Sequence, residues 1–159
     1  MSSPYEEVLQ GAPMLRNSPG SRHEQICSRL HRCVQASVAN LTSTHLLPPR
    51  FAVTMAEDTI VRPDLALITV STKKLWLAAE IVNSEDHAPD TVTKKQIYEE
   101  MRLPRLWMID PRYDNVEVYH ASPYGLVLKS ILAGSEVLSE KLLPEFQIVI
   151  SELFKTGEA

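Results

Sequence analysis

The chain has 159 residues, 44% of them hydrophobic and 23% charged, which is typical of a soluble globular protein with a sizeable apolar core. Its formal net charge of −4 argues against indiscriminate, charge-driven binding to nucleic acid, but it does not exclude DNA as a substrate, because carboxylates clustered at a metal site add to the negative count. No apolar stretch approaches the roughly 20 residues that span a bilayer and no signal peptide is recognisable, so we expect a single domain over residues 1–159, in the cytoplasm and without membrane association.

The N-terminal forty residues are predicted to contain a short helix and a long one. Residues 5–10 favour the short helical piece, and a loop rich in Gly, Pro, Asn and Ser follows. Ser21 as N-cap, with Glu24 three positions later, predicts the start of a helix over about residues 22–40. Apolar residues recur at every fourth position of this helix: Ile26, Leu30, Val34 and Val38.

The two cysteines of the chain lie in this long helix. Cys27 and Cys33 would be roughly 9 Å apart along the axis and on different faces, so no disulfide is expected. His23, Cys27 and His31 follow at i, i+4 and i+8 and could be read as ligands of a soft metal. Three ligands on one helix rarely converge on one ion, so we interpret the trio as a half-buried helix face.

The middle of the chain is predicted to form strands. Residues 51–55 alternate as a strand does, and residues 59–69 form one strand or two. The near-continuous apolar run over residues 75–82 is typical of a strand buried on both faces. Because only a short turn joins this run to the preceding strand, the two strands must be antiparallel.

The second half of the chain predicts one more helix and several strands. A polar loop over residues 83–89 leads to helix B at residues 91–101, with Asp90 as its N-cap. The strand that follows at residues 106–109 should run parallel to the buried one. The remaining predictions are a hairpin formed by residues 116–120 and 126–132, a short strand or turn at 146–150 and a brief helix at 151–154.

Two acidic residues and a lysine suggest chemistry in this arrangement. Glu80 lies within the buried run, where an ionised carboxylate is costly unless it is paired or binds a metal. Asp64 lies on the neighbouring strand, and Asp90, Lys94 and Tyr98 share one face of helix B. Two carboxylates can hold Mg²⁺, and a nearby ammonium can stabilise a charged transition state. The pattern therefore suggests a metal-dependent phosphodiesterase, although such acids also occur as caps and in salt bridges.

The order and spacing of these motifs resemble the PD-(D/E)XK nuclease superfamily and, more narrowly, the Uma-two family of restriction endonucleases. The resemblance covers roughly residues 12–155. The motifs that carry it are His23, Pro63-Asp64, Glu80-Ile81-Val82, the series Asp90, Lys94 and Tyr98, Trp107-Met108-Ile109-Asp110-Pro111, and Leu143-Pro144-Glu145-Phe146.

Some positions depart from the family pattern. Val82 occupies the place of the lysine in the name-giving motif, so the positive charge would come from helix B, from Lys94 with Lys95 as its competitor. Arg102 stands where the family often has a glycine that ends the helix in left-handed geometry, and Leu106 replaces a common tyrosine. None of these changes removes a proposed metal ligand.

The resemblance implies an αβ fold of the α+β type. Its core would be a mixed sheet with flanking helices and a C-terminal β-hairpin extension. The resemblance also implies Mg²⁺ or Mn²⁺ dependence and DNA cleavage. Asp64 and Glu80 would be metal ligands, the backbone carbonyl of Ile81 a third ligand, and Lys94 the catalytic lysine. Four further residues could line the site: His23, Asp90, Lys95 and Tyr98. Of these, Asp90 and Tyr98 are expected mainly to cap and pack helix B.

Other interpretations stay open. A homodimer would suit the cutting of two DNA strands, since a two-fold axis relates two sites to a duplex. The alternative function is a catalytically weak or inactive nuclease-fold protein that acts as a DNA-associated or protein-interaction module, which Val82 and the acidic charge favour. A nuclease for RNA or structured DNA is a third interpretation. Any basic surface must be local; Arg102, Arg105 and Arg112 are candidates for one, but we interpret them as scattered solubilising charge.

Overall fold

The computed structural model describes residues 3–83 and 88–156 of the chain. Most of these residues form strands, and the helices are few. The strands are β1 (Tyr5–Leu9), β2 (Ala12–Arg16), β3 (Thr44–Leu46), β4 (Val53–Ala56), β5 (Thr59–Val61), β6 (Leu65–Thr69), β7 (Leu75–Ile81), β8 (Arg105–Asp110), β9 (Asn115–Ser122), β10 (Gly125–Ala133), β11 (Val137–Ser139) and β12 (Gln147–Val149). The helices are α1 (Ser21–Val38), a π-helical turn (Pro89–Lys94) that continues into α2 (Lys95–Glu100), and α3 (Ile150–Leu153).

A six-stranded mixed sheet in the order β10-β9-β8-β7-β6-β3 lies at the centre of the fold. Strands β6 and β7 are antiparallel, while β7 and β8 are parallel, and both pairings agree with the predictions. The buried strand β7 lies in the interior of this sheet. The α+β fold with a mixed sheet is therefore confirmed, as is the C-terminal hairpin of β9 and β10.

The six-stranded sheet is covered on both faces. On one face α1 packs its apolar stripe, including Ile26 and Leu30, against a core that contains Leu77 and Trp107. On the other face α2 packs together with a four-stranded sheet of order β2-β1-β5-β4. Strand β7 contributes alternate residues to the two cores, so its end at Ile81 lies between two layers of structure.

The short helix predicted over residues 5–10 is wrong, because this segment is a strand. Strands β1 and β2 form a hairpin in which Leu9 pairs with Ala12 around Gln10 and Gly11. These two turn residues have φ of 53° and 83°, as a two-residue turn with the twist of a hairpin requires. Isolated short helices are marginal in water, whereas the strand buries Glu7 and Leu9 on one side and pairs with β5.

Two predicted helix caps also differ from the structure. Gly20 is the N-cap of α1 and no side chain caps this helix, so Ser21 is its first residue instead. Asp90 lies inside the π-helical turn, and Ala88 holds the N-cap position. Asp90 fails to cap because its carboxylate is paired with Arg16.

The remaining predictions are close to the structure. The segment 59–69 divides into β5 and β6, which belong to different sheets. The short strand β11 was not predicted from the sequence; it pairs with β12. Cys27 and Cys33 are free, as expected. Most of the polar loop predicted at 83–89 falls on residues 84–87, outside the described residues. No helix within the described ranges is long and apolar enough to cross a bilayer.

Candidate active site

Asp64 lies at the bend that precedes β6, and its carboxylate is held at the end of β7. Its Oδ2 accepts a 2.8 Å hydrogen bond from the backbone N–H of Ile81, the residue next to Glu80. Its Oδ1 lies 2.8 Å from His23 Nε2 and 2.8 Å from Arg50 Nη1. Burial raises the pKa of Asp64, but His23, the Ile81 N–H and Arg50 outweigh it and lower this pKa to about 2. Asp64 is thus ionised and close to the Glu80 peptide.

Glu80 is buried on β7 and contacts the residues of the π-helical turn and α2. Its Oε2 lies 2.6 Å from Lys94 Nζ and accepts a 2.6 Å hydrogen bond from Tyr98 Oη. Burial raises the pKa of Glu80 to about 8, with nearby carboxylates adding to the rise and Lys94 opposing it. Within the described ranges both side-chain contacts use Oε2, which leaves Oε1 for another ligand.

Lys94 is fully buried at the end of the π-helical turn, between two carboxylates. Its Nζ lies 2.6 Å from Glu80 and 2.7 Å from Glu7, in ion-pair contacts that lack the directionality of hydrogen bonds. Burial disfavours the ammonium, but the carboxylates prevail and raise the pKa of Lys94. Lys95 points elsewhere, with its Nζ 4.6 Å from the centre of the Tyr119 ring. The structure therefore places Lys94, and not Lys95, next to Glu80.

Two residues of the N-terminal hairpin belong to this cluster and were missed in the sequence. Arg16 Nη1 lies 2.6 Å from Glu7, and its Nη2 lies 2.9 Å from Asp90. Glu7 Oε2 also accepts a 2.6 Å hydrogen bond from the backbone N–H of Arg62. The alternation of Glu7 and Leu9 would have placed Glu7 on the buried side, had the segment been read as a strand.

Arg50 is a third residue that the sequence did not reveal. Its guanidinium contacts Asp64 and also donates to both carboxylate oxygens of Glu24, at 2.6 and 2.8 Å. Arg50 has a φ of 57°, a backbone conformation that gave no signal in the sequence. The result is an ionised Asp64 with a cation already at one oxygen.

The helix face of His23, Cys27 and His31 packs against Asp64. His31 Nε2 lies 2.7 Å from the Asp64 backbone carbonyl, and Cys27 Sγ lies 3.6 Å from the same oxygen. Among residues 3–83 and 88–156 no group of three or more His, Cys, Asp or Glu side chains is placed to hold a metal ion. The contacts of His31 and Cys27 with the Asp64 carbonyl agree with the interpretation of the trio as a packed helix face.

A cleft of about 450 Å³ has His23 and Val82 in its wall. His23 contacts Asp64, and Val82 follows two positions after Glu80, but the carboxylates of Asp64 and Glu80 do not line the cleft themselves. Arg22 and Arg112 also line it, and each is paired with an acidic residue. Of the other two arginines considered for a basic surface, Arg105 pairs with Glu140 and Arg102 ends α2.

The donor set is consistent with a hard divalent cation. Mg²⁺ commonly takes one or two protein carboxylates and completes its shell with water and phosphate oxygens. Asp64 and Glu80 supply two carboxylates at the ends of adjacent strands, and Glu80 Oε1 is not engaged by the contacts above. Asp64 Oδ1 would have to exchange its contact with His23 or Arg50 for the metal. Ile81 contacts Asp64 through its backbone N–H. Binding of the metal by the Ile81 carbonyl therefore stays a prediction.

Comparison with known proteins identifies the family. The family model Uma2, described as "Putative restriction endonuclease", matches residues 4–151. The chain belongs to this family. It is also similar to a crystal structure from Anabaena variabilis ATCC 29413, described as a putative nuclease belonging to DUF820, with 16% sequence identity and a TM-score of 0.79 over 95% of this chain and 90% of that one. No curated protein matches. The Uma2 assignment confirms the recognised family, and the structural match confirms the fold.

Proposed function

We propose that this Uma2 protein is a metal-dependent endonuclease that hydrolyses the phosphodiester bonds of DNA. The observation that carries the proposal is the Glu80 carboxylate, buried and in contact with Lys94, next to the peptide that binds Asp64. Burying so many ionisable groups in one cluster costs stability, and such clusters occur at functional sites. Membership of a family described as nucleases supports the same reaction.

Asp64 and Glu80 would hold Mg²⁺ or Mn²⁺, with the Ile81 carbonyl as a third ligand. When bound, such a cation supplies charge neutralisation at the phosphate and lowers the pKa of water. Tyr98 and Lys94 fix the orientation of Glu80 through its Oε2. This leaves the other oxygen of Glu80 in a defined place for the cation.

Lys94 would stabilise negative charge that develops on the phosphate. Because its ammonium is fully buried, a phosphate oxygen would have to take the place of the Glu80 contact to meet Lys94. The cleft beside His23 would admit the DNA backbone. Arg22 and Arg112 on its wall would meet flanking phosphates if these displace their acidic partners.

Nicking of supercoiled plasmid tests the proposal. With Mg²⁺ or Mn²⁺ the wild type should nick DNA, while Asp64→Asn and Glu80→Gln should be inactive. Lys94→Met should lose about 100-fold in rate, as for loss of one charge-stabilising group. Lys95→Met is the matched control, because Lys95 contacts Tyr119 and not the site. An inactive Lys95→Met beside an active Lys94→Met would overturn the lysine assignment, and full activity of Asp64→Asn would overturn the site.

A second candidate is a nuclease-fold module without catalysis. The observation that favours it is that His23 and Arg50 both contact Asp64 Oδ1, together with Val82 in place of a lysine. Binding to the native state raises the melting temperature, so Mn²⁺ should raise the Tm of the wild type but not that of Asp64→Asn or Glu80→Gln. Absence of this rise, combined with absence of nicking, would favour the module.

A further inference from the structure

The N-terminal hairpin reaches the candidate active site through one residue, Glu7. Glu7 lies on β1, is fully buried, and contacts Lys94 Nζ at 2.7 Å. Lys94 lies 87 positions further along the chain (94 − 7), in the π-helical turn. The contact therefore joins two elements that are distant in sequence around the ammonium that the proposed reaction needs.

Glu7 is held firmly in this position through both of its carboxylate oxygens. Arg16 Nη1 contacts Oε1 at 2.6 Å, and the Arg62 N–H donates to Oε2 at 2.6 Å. Arg16 in turn pairs with Asp90, which lies in the same π-helical turn as Lys94. The hairpin thus fixes the turn at two points, one through Arg16 and one through Glu7.

Glu7 and Glu80 are not equivalent partners of Lys94. Glu80 Oε2 is shared with Tyr98, and Glu80 is also a proposed metal ligand. When Glu80 shares its charge with a cation, its attraction for the ammonium weakens. Among residues 3–83 and 88–156, the other contacts of Glu7 are to Arg16 and to the Arg62 N–H, and Glu7 is not a proposed metal ligand. Glu7 is therefore the partner that could keep Lys94 in place while Glu80 binds a cation.

We propose that Glu7 is a positioning residue that holds the Lys94 ammonium beside Glu80, so that the N-terminal hairpin is part of the active site. The catalytic effect of Glu7 rests on the proposed function. The fixing of Lys94 by Glu7 is a structural statement that does not depend on it. A buried ion pair that only fastened the hairpin to the fold would act on stability alone, and the two roles give different results in the following experiment.

The kinetic arm uses single-turnover plasmid nicking at saturating DNA and Mn²⁺. Glu7→Gln should lower the rate about 100-fold, the size expected when a catalytic group is misplaced by about 1 Å. Glu7→Asp, which keeps the charge, should recover part of that loss. Glu6→Gln is the matched control, because Glu6 is the adjacent residue on β1 and is exposed. Its rate should equal that of the wild type.

A double-mutant comparison separates positioning from stability. If Glu7 acts through Lys94, adding Glu7→Gln to Lys94→Met should cause no further loss of rate, since residues that act as one unit are non-additive. A loss of the same factor in both backgrounds would overturn the proposal. A wild-type rate in a folded Glu7→Gln would overturn it as well.

The spectroscopic arm needs neither metal nor DNA. Side-chain ¹⁵N NMR of lysine-labelled protein should show a slowly exchanging ammonium signal that is lost in Lys94→Met and thereby assigned. Glu7→Gln should shift or broaden this signal, and Glu6→Gln should leave it unchanged. If Glu7→Gln does not fold, Glu7→Asp takes its place, with a displaced signal expected. If the wild type cuts no DNA the proposed function fails, but an unchanged Lys94 signal in the Glu7 variant is still what would overturn the positioning role.

Discussion

At the scale of single residues, the buried charges of the site do not balance among the residues that the structure describes. Three carboxylates, Glu7, Glu80 and Asp90, share two cations, Arg16 and Lys94. An excess negative charge in a buried place is costly, and the cost is relieved if one acid keeps its proton. The pKa of Glu80 is raised to about 8, so without a cation this group takes up a proton near neutral pH, and a bound cation would displace that proton.

The raised pKa of Glu80 predicts how stability depends on pH. A folded-state pKa of about 8 against 4.5 in the unfolded chain means that the stabilising effect is complete below pH 4.5 and is lost as pH rises toward 8. Glu80→Gln, which cannot ionise, should therefore gain stability relative to the wild type as pH rises from 5 to 8, by about 3–4 kcal/mol. Urea denaturation in EDTA measures this. A stability difference that does not grow with pH would contradict the prediction.

Arg50 predicts a competition at Asp64. Its Nη1 lies 2.8 Å from Asp64 Oδ1, where a metal ion would need the same oxygen. Arg50→Gln should therefore bind Mn²⁺ about tenfold more tightly, a gain of about 1.4 kcal/mol. Titration calorimetry gives the affinity, and Arg32→Gln on the exposed side of α1 is the control. Equal or weaker binding by Arg50→Gln would show that Arg50 does not compete with the metal.

The sequence revealed the residues whose chemistry and spacing are local. Glu80 stood out inside an apolar run, and Asp90, Lys94 and Tyr98 followed a helical spacing; in the structure all four meet in one buried cluster. Arg16 could not be found in the same way, because its partner Asp90 lies 74 positions away and only the folded sheet brings the two together.

At the scale of elements, the end of α2 explains a departure from the family pattern. Arg102 has a φ of 57°, the left-handed geometry for which glycine was expected. The Arg102 N–H donates to the Glu99 carbonyl at 3.1 Å and the Leu103 N–H to the Tyr98 carbonyl at 3.0 Å, which is a Schellman motif. Helix α2 thus ends in the left-handed geometry of the family pattern, but with an arginine where glycine would be more favourable.

Arg102→Gly should therefore stabilise the protein. Glycine avoids the cost of left-handed geometry, about 1–2 kcal/mol for other residues, and loses part of that gain to its greater freedom in the unfolded chain. We expect a net gain of about 0.5 kcal/mol in urea denaturation. Arg102→Ala keeps the geometric cost and should show no gain. A glycine variant less stable than the alanine variant would contradict this account.

Helices and strands with a clear pattern of apolar residues were predictable from the sequence. Elements that depend on a turn were harder to predict. Strand β7 and helix α1 are recognisable from burial patterns alone. The N-terminal hairpin was missed because Gln10-Gly11 is a weaker turn signal than Asn-Gly or Asp-Gly. The π-helical turn was missed because a period of 3.6 does not distinguish it from an α-helix, although such turns are frequent at functional sites.

At the scale of the whole molecule, the candidate site is assembled from distant parts of the chain. Strand β7, the π-helical turn and the N-terminal hairpin meet at Glu80, Lys94 and Glu7. The likeness to the Anabaena structure at 16% identity shows that this fold tolerates extensive sequence change. The topology was predictable from strand order and connection length, whereas the way the four-stranded sheet closes over the site depends on long-range pairing such as Val8 with Ile60.

If the protein cuts both strands of a DNA duplex, we expect it to act as a homodimer. One site per chain cuts one strand, and a two-fold axis would bring two sites to the two strands. Sedimentation equilibrium should then give twice the mass of the chain, and plasmid should be linearised with few nicked intermediates at high protein concentration. A monomer at all concentrations that only nicks plasmid would contradict this prediction.

Anomalous diffraction from crystals soaked in Mn²⁺ would show whether Asp64 and Glu80 share one divalent cation. We expect one strong anomalous peak within coordinating distance of an oxygen of each of these two carboxylates, and we expect this peak to disappear in Glu80→Gln. Full soaking without a peak between them, or a peak bound to other residues in crystals of protein that cuts DNA, would contradict the claim.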